Sequence, residues 1–133
     1  MGRTRTRTAA GLVLDTGALV ALDRGDKRMI ALLDRALAQG RTVRVPAGVV
    51  GQAWRNGRVQ ATLARFLRCG EVEIVPLDDH TARACGELCA SANSEDVINA
   101  SVVILARMRR DPIATSDPND LRKLDPAADL IPL

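Results

Sequence analysis

Short apolar, β-branched runs recur along this chain, mostly bounded by Gly, Pro or Asp, and all but the last are followed by a stretch of helical periodicity. That alternation limits the possible folds more than any single residue does. Gly11-Leu-Val-Leu14, Thr42 to Val45, Val72 to Val75, Ile113-Ala-Thr115 and Asp129 to Leu133 read as strands. Ala18 to Leu22 starts a helix that stops near Gly25, and Asp26 caps another whose Met29, Ile30, Leu33 and Leu37 recur at helical spacing. Pro46 closes a strand and opens a helix to Trp54, broken by Asn56-Gly57; Arg58 to Arg68 is a fourth helix with Val59, Leu63, Phe66 and Leu67 on one face. Asp79 to Ala92 is helical, with Ala84, Cys85 and Leu88 inward, and Asn93 to Asp96 is a break that caps a helix to Arg109. Ser116 to Asp120 turns into a brief helix ending near Leu124. Strands alternating with helices predict an α/β fold around a mainly parallel sheet of four to five strands, covered on both faces.

With 133 residues this is one domain, expected over 11–133 behind a flexible basic arm over 1–10. A chain of this size needs no disulfide or structural zinc. Cys69, Cys85 and Cys89 form no CxxC pair, and with one His, His80, no four-ligand zinc site is available. The cysteines are expected to be buried thiols, and His80 a surface residue at a helix start. Asp15 interrupts the apolar run that follows Arg3, Arg5 and Arg7, which argues against a signal peptide, and no run reaches membrane-spanning length. The expectation is a soluble, cytoplasmic protein without a membrane partner. The formal charge of +3 is carried on the basic side almost wholly by Arg, with only Lys27 and Lys123 as Lys. Arg suits phosphate. The aromatics are Trp54 and Phe66 alone, expected in the core or in a partner groove, so base stacking is expected to be a minor source of affinity.

In open parallel sheets the working crevice lies outside the carboxyl ends of the strands. Asp15 follows the first strand and Asp117 the fourth; Asp96 opens a helix that returns to the same edge, with Asn99 on its face one turn along. Each Asp also has a bland role, as a helix cap or turn former. Together they place carboxylates at one edge, where like charges raise each other's pKa unless a cation is shared. Oxygen donors without Cys or His favour Mg²⁺ or Mn²⁺, which activates water and neutralises charge on a phosphodiester. No G-x-S-x-G elbow and no G-x-x-x-x-G-K-[ST] loop is present, which counts against a serine hydrolase and a nucleoside triphosphatase. A phospho-accepting receiver would need an acidic pair after the first strand, and Asp15 stands alone.

Val13 to Leu22 (VLDTGALVAL), Asp96 to Ala100 (DVINA) and Ala114 to Leu121 (ATSDPNDL) together resemble a PIN domain, in particular the VapC-type ribonuclease toxins of bacterial toxin–antitoxin pairs. The resemblance runs in order from Leu12 to Leu133. It implies a three-layer α/β/α fold, Mg²⁺- or Mn²⁺-dependent endonucleolytic cleavage of RNA, a homodimer and inhibition by a cognate antitoxin. Asp15, Asp96 and Asp117 match the first, third and fourth family acids and would hold the metal; Thr115 matches a hydroxyl residue beside it. The second acid, usually Glu, is replaced by Gln52, which carries no charge and would orient water or phosphate with Thr115. Asn99, Ser116 and Asp120 would stand behind these residues. Arg24, Arg55 and Arg58 are expected on the RNA-binding rim. Gln52 also motivates the alternative, a catalytically weakened PIN-like module for dimerisation or RNA binding.

Overall fold

Five strands and seven helices alternate along residues 10–133, the part of the chain that the computed structural model describes. They are β1 (Leu12–Leu14), α1 (Thr16–Asp23), α2 (Lys27–Ala38), β2 (Val43–Pro46), α3 (Ala47–Ala53), α4 (Ala61–Leu67) and β3 (Val72–Val75). Next come α5 (Asp79–Ala92), α6 (Val97–Arg109), β4 (Ile113–Thr115), α7 (Pro118–Leu124) and β5 (Leu130–Pro132). The basic arm expected over 1–10 lies outside the described residues, save Ala10.

Local chemistry explains the boundaries. α1, α2, α5 and α6 each begin on an Asp (Asp15, Asp26, Asp78, Asp96) whose carboxylate accepts the N–H three residues on, satisfying a donor the helix cannot use internally. Asn93 and Arg110, with φ of 56° and 57°, end α5 and α6 in the left-handed conformation that releases the chain from the helix.

All five strands are parallel, in the order β3-β2-β1-β4-β5. α1 packs against α2, α3 and α4, while α6 packs against α5 and α7, giving helical layers about the sheet. β1, at the centre, is wholly buried, as apolar runs without alternation in a two-sided parallel sheet should be. Leu12, Leu14, Leu19, Met29, Leu63, Ile113 and Leu121 supply the bulk of a core in which small aliphatics replace aromatics.

Three expectations are corrected. Val59 is not on a helix face: it is 79% exposed and precedes α4. The cause is Gln60, whose buried amide accepts the N–H groups of Arg55 (2.7 Å) and Asn56 (2.8 Å) and donates to Ala53 O (2.9 Å) and Asp23 (3.1 Å), holding residues 53–60 as a turn. Trp54, in that turn, is outside the core. Cys69 is only part-buried, with its thiol directed to Glu71, whereas Cys85 and Cys89 are buried as expected.

Candidate functional site

The strand order reverses direction between β1 and β4, and this is where an open parallel sheet leaves a crevice. Leu14 pairs with Ala114 across it, so the next residues of each strand, Asp15 and Thr115, emerge side by side. Asp15 N–H reaches back to Ala114 O at 3.2 Å and fixes that register.

Asp15 is 3% exposed and Thr115 is fully buried. The Thr115 hydroxyl lies beside the Asp15 carboxylate, whose charge it favours, and accepts the N–H of Asp117 at 2.8 Å, so one buried hydroxyl stands between both acids. Burial is the main cause that pushes the Asp15 carboxyl above the ordinary Asp value. The bonds from Thr115 and Ala18 N–H oppose that rise, and the nearby charge of Asp117 adds to it. Asp117 is exposed and is also raised, chiefly by a hydrogen bond shared with Asp120 of the first turn of α7.

Glycine makes the junction possible. A Cβ on Gly17 would meet Ser116, whose Oγ would have to turn away and whose Cβ would lie 3.0 Å off, so the first turn of α1 approaches the loop after β4 closely where the side chain is smallest. Gly17→Val is expected to force the two apart and cost about 1–3 kcal/mol of stability; urea unfolding indistinguishable from the wild type would refute that close approach. A Cβ on Gly48 would likewise meet Ile98 Cδ1 at 2.4 Å, so the first turns of α3 and α6 are in contact.

α6 ends near the amino edge of the sheet, where Asp111 bonds Gly11 N, and therefore begins at the carboxyl edge. Asp96 thus shares the edge with Asp15 and Asp117. Its Oδ1 caps Asn99 N–H at 2.9 Å, so Asp96 and Asn99 are joined to each other. Among the described residues no three His, Cys, Asp or Glu stand together as a ready-made cluster. The capping roles of Asp15 and Asp96 are real; for Asp117 it is the Thr115 hydroxyl that makes the turn bond, and the Asp117 carboxylate caps nothing.

Gln52 lies on α3 and its Oε1 accepts the hydroxyl of Thr16, the residue beside Asp15. The amide thereby stands at the site where an acid was expected. Thr16 was missed from the sequence, although it sits inside the D-T-G motif. Arg24 and Ser116 line one shallow groove with Gly17, Val20, Ala21 and Asp26. Arg55 is less free than expected: its Nη1 bonds Gly51 O (3.1 Å) and Trp54 O (2.7 Å), closing the end of α3. Arg58 is exposed.

Among the described residues no basic side chain forms an ion pair with Asp15, Asp96 or Asp117, while Lys123 reaches Asp120 at 3.7 Å. Two neighbouring carboxyls shifted toward protonation, with hydroxyl and amide oxygens of Thr115, Thr16 and Gln52 nearby and no Cys or His, suit a hard divalent cation, although the Lys123 charge partly offsets that of Asp117.

No family model and no curated protein matches the chain. Solved structures do. One from "Toxin-antitoxin complex from Klebsiella pneumoniae" superposes with a TM-score of 0.69 at 13% identity, covering 91% of this chain and 96% of that one. FitAcB from Neisseria gonorrhoeae gives 0.64 at 17% identity, over 90% and 96%. VapBC2 from Rickettsia felis, bound to a DNA fragment from their promoter, gives 0.67 at 18% identity, over 91% and 97%. At such identities the likeness establishes the fold, which is the three-layer PIN-like arrangement that the sequence resemblance implied.

Proposed function

We propose that this chain is a divalent-metal-dependent endoribonuclease, the toxin member of a toxin–antitoxin pair. The observation that carries the reading is the Asp15–Thr115–Asp117 junction at the switch point of the sheet, with Asp96 on the same edge. Support for the partner comes from a fold neighbour, the toxin–antitoxin complex from Klebsiella pneumoniae. Asp15 and Asp117, with Asp96 from the start of α6, would hold Mg²⁺ or Mn²⁺, which when bound supplies an activated water and neutralises charge on phosphate. Thr115 keeps the two strand-end acids in register. Thr16 fixes the amide of Gln52, which presents donor and acceptor atoms to a phosphate oxygen or an attacking water. Arg24 and Arg58 meet flanking phosphates, giving salt-sensitive, largely sequence-independent affinity. The protein acts in the cytoplasm as a homodimer, held inactive by an antitoxin. Among the described residues no helix is long and apolar enough to cross a membrane.

The test is incubation of the purified protein with a mixed RNA pool in Mn²⁺ and in chelator. Cleavage with Mn²⁺ that stops on chelation is expected; intact RNA in both arms would overturn the reading. A short adjacent reading frame encoding a DNA-binding protein would support the toxin assignment.

Gln52 favours a second reading, a PIN-like module with weakened catalysis. Replacing a charged ligand by an amide lowers the negative charge available to a cation, so Gln52→Glu is expected to tighten Mg²⁺ binding roughly tenfold, in the range of changes beside a metal. Calorimetry showing equal affinity would place Gln52 outside the metal's reach.

A further inference from the structure

The turn after α3 carries the one tryptophan of the chain in an unusual setting. Trp54 is 37% exposed, although small aliphatics fill the core around it. Its ring lies on the backbone of Gly57, where a Cβ would stand 2.8 Å from Cζ2 and 3.2 Å from Cη2. Glycine at 57 therefore lets the indole rest on the turn while part of it stays open to solvent. The turn itself is fastened from beneath: the Gln60 amide holds Ala53, Arg55 and Asn56, and ties them to Asp23 of α1. The Arg55 guanidinium is pinned across Gly51 O and Trp54 O, which fixes a positive charge on the same turn. Arg58 adds another exposed charge a few residues on. Two residues before Trp54, Gln52 bonds Thr16, next to Asp15. An aromatic surface on a fastened turn that also carries two arginines thus follows Gln52 by two residues.

We infer that Trp54 is a stacking platform for a base of single-stranded RNA that runs on from the candidate site across the turn after α3, with Arg55 and Arg58 of the same turn neutralising its backbone. This deepens the ribonuclease reading and rests on it. A base presents a flat π face of any sequence to an indole, and stacking of this kind adds affinity without readout of base edges. The preorganised turn lowers the ordering cost of that contact. Stacking is then confined to one place instead of being negligible.

Because Trp54 is the sole tryptophan, its emission reports on itself. The full chain is titrated with a short single-stranded oligoribonucleotide, with Ca²⁺ in place of Mg²⁺ to suppress cleavage. Tryptophan emission is followed in parallel with the anisotropy of a label on the RNA. Quenching that saturates with the anisotropy is expected, together with a roughly fivefold to hundredfold loss of affinity in Trp54→Ala and near-complete retention in Trp54→Phe. An abasic oligomer of the same length should bind the wild type as weakly as the normal oligomer binds Trp54→Ala. Binding with unchanged emission, or equal affinity of wild type and Trp54→Ala, overturns the platform while leaving the ribonuclease reading standing. Absence of any RNA binding overturns both.

Discussion

Asp15→Asn should abolish metal-dependent cleavage while leaving the protein folded. Asn caps a helix as well as Asp does, so the bond to Ala18 N–H survives and α1 keeps its start. What disappears is the charge that would bind the cation. Loss of a group that merely supports a metal ligand costs roughly tenfold to a hundredfold in affinity or activity, so loss of a ligand should cost at least about a hundredfold. The pH dependence follows from the same residues. Burial raises the Asp15 carboxyl, and the Asp120 hydrogen bond raises Asp117, so protons compete with the metal at a higher pH than for ordinary carboxylates. Mg²⁺ affinity should therefore fall on acidification, starting above the pH at which free Asp titrates. For the metal-free fold the sign is opposite. The folded chain binds the Asp15 proton more readily than the unfolded one, so the contribution of Asp15 to stability is greatest below its unfolded value of 3.8 and is lost as pH rises through the raised folded value. Asp15→Asn removes that loss and should be as stable as the wild type, or more so, at neutral pH without metal. Cleavage of RNA by Asp15→Asn at the wild-type rate would remove this site from the chemistry; thermal melts with and without Mg²⁺ check the stability half.

Asp111→Ala should produce the largest loss of stability, at the opposite edge of the sheet. Asp111 Oδ1 accepts Gly11 N–H at 2.8 Å and Oδ2 accepts Arg44 Nη1 at 2.9 Å, with the Asp111 side chain 2% exposed and that of Arg44 16%. Gly11 at that position has no room for a Cβ, which would lie 2.5 Å from Arg44 Nη1. One carboxylate thus joins the start of β1, the middle of β2 and the loop that leads into β4. Removing it strands a buried N–H and a mostly buried guanidinium, a change that costs about 3 kcal/mol and lowers the midpoint by roughly 10–15 °C for a domain of this size. Glu73, the other partner of Arg44, is half exposed, so Glu73→Ala should cost under about 1 kcal/mol. Circular dichroism melts of both variants decide it: equal midpoints for the two would show that burial of the Asp111 pair carries no weight.

Much of the fold was legible in the sequence because its elements are short-range objects. The apolar runs, the helical spacing and the Asp caps are set by residues within a few positions of one another, and the strands and helices appear where those signals fall. The failures are equally physical. Val59 has the spacing of a helix-face residue, but a single long-range amide, Gln60, holds the preceding chain in a turn and leaves Val59 in solvent. Trp54 reads as filling either the core or a partner groove, and the backbone of Gly57 gives it a seat at the surface instead of the core. Arg55 reads as a free cation, and two carbonyls claim it.

By itself the sequence determined the alternation of strand and helix, the caps, and the candidate acids Asp15, Asp96 and Asp117 as strand-end or helix-start residues. Only the tertiary structure decided that β4 lies beside β1, which sets Asp15 against Thr115 and Asp117 across a hundred residues of intervening chain. Only it decided that Thr16 would hold Gln52, and that Asp111 would reach Gly11 and Arg44. Periodicity and capping are encoded in neighbours that interact in any nascent helix or strand. Pairing between distant strands depends on how the whole hydrophobic core closes, and no local pattern carries that information.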